Sequence, residues 1–488
     1  MEKTAVVINK KIGSAQRTIE VAGDIIVPDI KPDILNIINT NGIPYIYKED
    51  IANSRIRLDG NIDTYIVYLS DTGETRSIQT TLSFSESIEE KNITENSFVK
   101  QKVILEKIET KILNERKISV KASLKIKCEI YEKSEIEINN DFNELNNIEL
   151  LKENLSIKSI IGTNKVKTTV KEDIAVDNSY TVAEILKVDV SISNLENKIS
   201  YNKILAKADA NVKIIFLSED GRIGVTKANL PIMSFIDLDK INDSNTCEVS
   251  YTIRNMIFKP NKNLITCQIE FDVLAVAYES KLIDVVQDMY GLKNNIEFSK
   301  KDVEVELSTI PKNNTISVNE RILVEDILNV LDVTLTPKIV NKTQVGNSYN
   351  LECEMGLDIY YEADNRNGLN VKNASFPFVV KSQIPEDVEL IITNKQFTVS
   401  NENVNCDIEI LARDTNSSLK NISVIENVSC SDAEEENDYK MFMYFVKPGD
   451  SVWEIAKRFK VPMEDVVSLN NLENLEKIQV GDRLYIMR

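Results

Sequence analysis

The sequence predicts a mainly β protein: three related antiparallel β-sandwich-like domains followed by a small α/β domain of βααβ order. Three observations lead there. Apolar and polar residues alternate with a period of two over long segments. Four short features recur in the same order three times along the chain. Past Met443 the alternation gives way to two short stretches with helical apolar spacing.

The clearest strand runs from Ile118 to Ile130. Ile118, Val120, Ala122, Leu124, Ile126, Cys128 and Ile130 take one face, and Ser119, Lys121, Ser123, Lys125, Lys127 and Glu129 the other. One apolar and one polar face is the mark of a half-buried antiparallel strand. The same pattern predicts strands over Ile265–Ala277 and Phe397–Ala412.

The repeat has four parts. Cys128, Cys267 and Cys406 lie 139 residues apart, and each is followed two residues later by an isoleucine. Upstream, GNIDTYIVYLSDTG (Gly60–Gly73) is matched by ADANVKIIFLSEDG (Ala208–Gly221) and by CEMGLDIYYEAD from Cys353. Next come Leu82-Ser83-Phe84, Leu230-Pro231-Ile232 and Phe376-Pro377-Phe378. Ahead of these stand Ile34-Leu35, Ile185-Leu186 and Ile327-Leu328, which are read as single helical turns. The register predicts domains at 1–142, 155–295 and 312–415, with boundaries in the polar stretches Asn139–Asn154 and Asn294–Lys312. Residues 416–440 are polar and then acidic and are read as a linker. The last domain spans 441–488.

Composition excludes several function classes. With 58 Lys and Arg against 77 Asp and Glu, the net charge is −19, which opposes wrapping nucleic acid or an anionic membrane surface. No apolar run approaches the roughly 20 residues of a membrane helix, and the charges near the N-terminus follow the apolar patch, the reverse of a secretory signal. Six cysteines without a C-x-x-C pair, and no histidine, argue against a zinc site or any other cofactor. They suit small apolar residues in a reducing cytoplasm. Lacking histidine and a phosphate-binding glycine loop, the chain is read as a binding protein and not an enzyme.

In the last domain, Met443 and Phe445 open a strand and Pro448-Gly449-Asp450 a turn. Asp450 or Ser451 caps a helix carrying Val452, Ile455, Ala456 and Phe459 on one face. Pro462 opens a second helix, Asn470-Asn471 stops it, and Leu484-Tyr485-Ile486 closes the module. The run YFVKPGDSVWEIAKRFKVPMEDVVSLNNL, followed by IQVGDRLYI, resembles the LysM family. The resemblance implies a two-stranded sheet covered by two helices and a shallow ligand groove. One wall would be Gly449, Asp450, Ser451 and Val452, and the other Leu472, Glu473, Asn474, Leu475 and Ile478. Trp453 is counted with these groove residues, as a packing or partner contact on the first helix, and Gly449 and Gly481 are read as turn glycines. The ligand implied for such a groove is an N-acetylglucosamine polymer such as peptidoglycan.

The repeats, with EILKVDVSISNLENKISYNKILAKADANVKIIFLSEDG (Glu184–Gly221) as their best-defined segment, resemble the SipL family of clostridial spore-coat morphogenetic proteins, which carry repeated domains ahead of a LysM. That resemblance implies action in the mother-cell cytoplasm at the forespore surface. The implied partners are the coat basement-layer ATPase SpoIVA, bound through the LysM, and other coat proteins. Peptidoglycan binding in the cortex or wall stands as the alternative.

Overall fold

The computed structural model describes residues 2–94, 97–308, 313–346, 348–364, 366–382, 388–414, 419–432, 440–472 and 478–488. Almost all of them are strand. The first unit consists of β1 (Glu2–Ile26), β2 (Ile34–Ala52), β3 (Arg55–Ser70), β4 (Thr75–Glu89), β5 (Phe98–Asn114) and β6 (Lys117–Asp141). Its strands form two antiparallel sheets, β1-β6-β5 and β2-β3-β4. The second unit repeats this with β7 (Ile148–Ala175), β8 (Val182–Ser200), β9 (Lys203–Ser218), β10 (Ile223–Asp237), β11 (Thr246–Asn261) and β12 (Leu264–Gly291), as β7-β12-β11 and β10-β9-β8. In the third, each long outer strand is described as two segments, on either side of residues 309–312 and 415–418. Its elements are β13 (Asn294–Glu306), β14 (Asn313–Leu323), β15 (Ile327–Val345), β16 (Ser348–Ala363), β17 (Arg366–Ser382), β18 (Val388–Ser400), β19 (Asn403–Asp414) and β20 (Leu419–Asp432). They pair as β14-β19-β18, β15-β16-β17 and β13-β20.

Each unit closes its two sheets over its own core. All seven residues of the apolar face of β6 are buried, and so are Ile265, Cys267, Ile269, Phe271, Val273, Ala275 and Ala277 of β12. Burying one face of every strand in this way is what the two-residue alternation encodes.

The units also share apolar clusters, and two of these draw equivalent positions from all three. The ends of the long outer strands run past their own sandwich as two-stranded ribbons, β1/β6, β7/β12 and β13/β20, and the three ribbons touch one another pairwise. Four equivalent positions from each unit meet there: Val6, Leu155 and Val303; Ile8, Ile157 and Val305; Ile136, Ile283 and Ile422; Ile138, Val285 and Val424. At the second core the inner sheets converge. β2, β8 and β15 each carry a register shift against the middle strand at the same place, leaving Ile38, Leu186 and Leu331 unpaired, and all three enter one apolar cluster with Val67, Ile215 and Tyr360. A bulge turns an extra side chain out of the ladder, and three repeated bulges aim those side chains at one another.

Directly after each bulge stands a polar residue: Asn39, Lys187 and Asp332. Lys187 ion-pairs with Asp332 and with Asp189, and Lys213 reaches Asp332 at 2.5 Å. Asn39 donates to the Tyr360 hydroxyl at 2.7 Å, which donates to Asn41 at 2.8 Å, and the Lys187 ammonium lies 4.6 Å from the Tyr360 ring centroid. Burial opposes charge on both partners, yet Asp189 and Asp332 hold Lys187 protonated and the Lys187 and Lys213 ammoniums hold Asp332 far below the usual carboxylate range.

Several sequence expectations are corrected. The pairs Ile34-Leu35, Ile185-Leu186 and Ile327-Leu328 are not helical turns but lie in strands at register shifts that interrupt the two-residue period, the first and third at the strand start and the second at the next bulge along. The segment Phe397–Ala412 is a hairpin, because Asn401 and Glu402 take positive φ values of 47° and 59° and turn the chain between β18 and β19. Cys128 is not the counterpart of Cys267 and Cys406. The latter two lie three residues past the hairpin-closing Leu264 and Asn403, whereas Cys128 lies eleven past Lys117, so its even spacing is a coincidence. Residues 419–432 of the expected linker are a strand of the third unit, paired to β13, and most of the stretch read as a boundary at 294–312 is that partner strand. Their alternating apolar residues face the shared ribbon core, which reading the segment alone did not suggest.

Candidate functional site: the C-terminal module

The module consists of β21 (Met441–Phe445), α1 (Val452–Phe459), α2 (Met463–Leu469) and β22 (Arg483–Met487), with the two strands antiparallel and the helices on one face. Ser451 caps α1: its hydroxyl accepts from the Glu454 backbone N–H at 3.1 Å. Asp450 serves the turn before it. Its carboxylate accepts from the Tyr444 hydroxyl at 2.7 Å and the Lys447 N–H at 2.9 Å, and these hydrogen bonds hold its carboxyl below the usual aspartate range. Gly449 and Gly481 sit at φ of 87° and 94°, left-handed backbone that glycine adopts without penalty. Helix α1 ends at Lys460, itself left-handed at φ 51°. The Asn470 side chain bridges to β22, accepting from the Tyr485 N–H at 2.6 Å and donating to the Tyr485 carbonyl at 2.7 Å.

Of the expected groove walls, Gly449, Asp450, Ser451 and Val452 form a continuous turn-to-helix segment, and Val452 is buried beneath it. Leu472 and Ile478 are half-buried and pack with Val452 into the module core. Glu473, Asn474 and Leu475 lie outside the described residues. Trp453 does not belong to this groove. Its indole N–H donates to Asp288 of β12 at 2.7 Å, and its ring meets Tyr290 edge-on at a centroid distance of 4.9 Å.

That contact, together with Asn295 of β13, fixes the module to the second and third units. The Lys457 ammonium donates to both Asp288 oxygens at 2.8 and 2.7 Å, the Tyr290 hydroxyl donates to the Val461 carbonyl at 2.8 Å, and Lys460 reaches Asn295 at 2.7 Å. Leu151 and Leu292 pack against the same cluster. Burial opposes the charge of Asp288, but the hydrogen bonds from Lys457 and Trp453 prevail and keep its carboxyl below the ordinary range. Asp288 and Tyr290 escaped the sequence reading. The one local signal was a break in alternation: Gln287 is bulged out, and the strand resumes with an acid where an apolar residue is expected.

Among the described residues no three His, Cys, Asp or Glu side chains gather as a metal site, and no helix is long and apolar enough to cross a membrane.

Comparison with known families identifies two kinds of domain. Residues 444–486 match the LysM domain, and residues 33–113 and 181–261 each match the family described as SipL, SPOCS domain. Each SPOCS match takes in the inner sheet and the first strand of the outer hairpin of its unit. The third unit repeats the same topology without a match. No curated protein and no solved structure matches the chain. Both families are binding or structural domains and not enzymes, and together they are those of a sporulation protein with a ligand-binding LysM.

Proposed function

We propose that this SipL-like chain, with SPOCS units ahead of a LysM domain, is a scaffold for spore-coat assembly. It binds the coat basement-layer ATPase SpoIVA through the LysM and promotes encasement of the forespore from the mother-cell cytoplasm. The observation that supports this best is the docking of α1 through Trp453 and Asp288. A module carried on a rigid three-unit body suits the bridging of two macromolecules better than the capture of a flexible polymer by a freely tethered tail. The groove walls at Gly449–Val452 and at Leu472 and Ile478 are the contact this reading assigns to the partner.

A second reading, peptidoglycan binding in the cortex or wall, is favoured by the LysM match itself. Purified full-length chain is incubated in parallel with purified SpoIVA and with peptidoglycan sacculi. Retention by SpoIVA alone, lost in Ile478→Asp while circular dichroism stays native, supports the scaffold. Retention by sacculi alone replaces it with the glycan reading.

A further inference from the structure

The three units differ at one side of the sandwich. There β2 and β5, each the last strand of its sheet, approach one another, as do β8 and β11, and β15 and β18. Thr110 pairs with Val120, Phe258 with Cys267 and Phe397 with Cys406. Each of those partners lies three residues past the one that closes its hairpin, so Thr110, Phe258 and Phe397 are equivalent. Thr40, Val188 and Val333 are equivalent too: each directly follows Asn39, Lys187 or Asp332, and they pair with Ile66, Ile214 and Ile359. In the second unit Val188 and Phe258 are both buried in one core. In the third Val333 is buried and Phe397 is half-buried against the same core. The first unit has threonine at both places. A cleft of about 450 Å³ opens there between β2 and β5, within the roughly 300–1,000 Å³ of small-ligand sites. Ile37, Ile108 and Ile112 give it apolar walls, and Asn39, Thr40 and Thr110 give it polar groups.

We propose that this cleft is a binding site for a phenolic ring, held by the first unit alone. The ring takes the room that Phe258 fills from within the second unit and lies against the isoleucines. Its hydroxyl meets the threonine pair. The Thr40 and Thr110 hydroxyls are hydrogen-bonded to each other at 2.5 Å. That bond uses one of their two protons, so the pair has an O–H left to donate and lone pairs left to accept. A phenol is the matching group, an apolar body with one donor-acceptor tip. Loss of the phenylalanine by itself would leave an apolar hole, which suits a bare hydrocarbon. Changing the valine as well sets two hydroxyls where the sister units have none. No carboxylate lines the cleft, which fits a neutral ring.

The site involves neither the LysM domain nor the scaffold reading. A free phenol and a tyrosine side chain of a partner carry the same group, and the test separates them. Full-length chain is titrated with p-cresol and toluene, and with N-acetyltyrosinamide and N-acetylphenylalaninamide, by ligand-observed NMR. At least one phenol is expected to saturate the chain, about fivefold more tightly than its counterpart without the hydroxyl. Tighter binding of p-cresol identifies a free phenol as the occupant, and tighter binding of the tyrosine amide a partner's side chain. Thr110→Val, which keeps the shape and removes the hydroxyl, is expected to erase the preference for the phenol. Thr40→Val with Thr110→Phe, the pair the second unit carries, is expected to abolish binding while circular dichroism stays native. Saturation by neither phenol overturns the proposal. So does equal binding of each phenol and its counterpart, or a preference that survives in Thr110→Val.

Discussion

Lys187 and Asp332 occupy the same place in successive units, directly after the same bulge, and they are ion-paired with each other. A repeat that carried one residue at this position in all units would set like charges or like amides against one another. Asn39, Lys187 and Asp332 instead make each unit's contribution different, so only one arrangement of the three satisfies all partners. Removing Lys187 leaves the buried Asp332 carboxylate with Lys213 as its one remaining ion-pair partner. Lys187→Met is expected to cost about 3–5 kcal/mol, measured as a lowered urea midpoint. Adding Asp332→Leu should recover part of that loss, and a double variant as unstable as the single one would refute the pairing.

The ribbon core makes a separate stability prediction. Ile157 is fully buried where all three units meet. Ile157→Ala is expected to cost about 2–5 kcal/mol. Limited proteolysis should then open cuts in all three units together; cuts confined to the second unit would show that the ribbons contribute little.

Cysteine reactivity follows burial. Removal from water pushes the Cys128 and Cys267 thiols up to about 12 and the Cys353 and Cys406 thiols up to about 11. Thiolate is the reactive form, so at pH 8 a thiol reagent should label Cys430, which is exposed, at once and Cys247 slowly. The other four are expected to react only in denaturant. Four or more fast thiols in the native protein would contradict the sheet assignments.

Trp453 is the only tryptophan, and its emission reports the docking on Asp288. Because the Asp288 carboxyl is held below its ordinary range, near 3.9 when unfolded, the docking it stabilises is complete above that value. It weakens as pH falls through the lower, folded value. Emission is expected to shift to the red only under acid, and in Asp288→Asn already at pH 7. A variant with native emission would show that Tyr290 and the apolar contacts suffice.

The sandwiches were legible because each strand buries one face, and the alternation at Ile118–Ile130 states this without reference to any neighbour. The module was legible from its caps and turns, local features set by Ser451, Gly449 and Gly481. What stayed hidden was long-range. The bulges at Ile38, Leu186 and Leu331 break the alternation for reasons that lie in other units. β20 looked like a linker because its buried face meets the two other ribbons. Trp453 could be placed on a helix, but its partner Asp288 is 165 residues away and sits in a strand end with no motif of its own.

The ribbon core carries a consequence for how the chain is made. Val6 and Ile8 are synthesised long before Ile422 and Val424, which complete the cluster they enter. The first sandwich can close as it leaves the ribosome, while its protruding ribbon waits for nearly three hundred further residues. Until β20 arrives, two oily strand pairs remain uncovered, and a nascent chain stalled in that interval presents a natural substrate for chaperones.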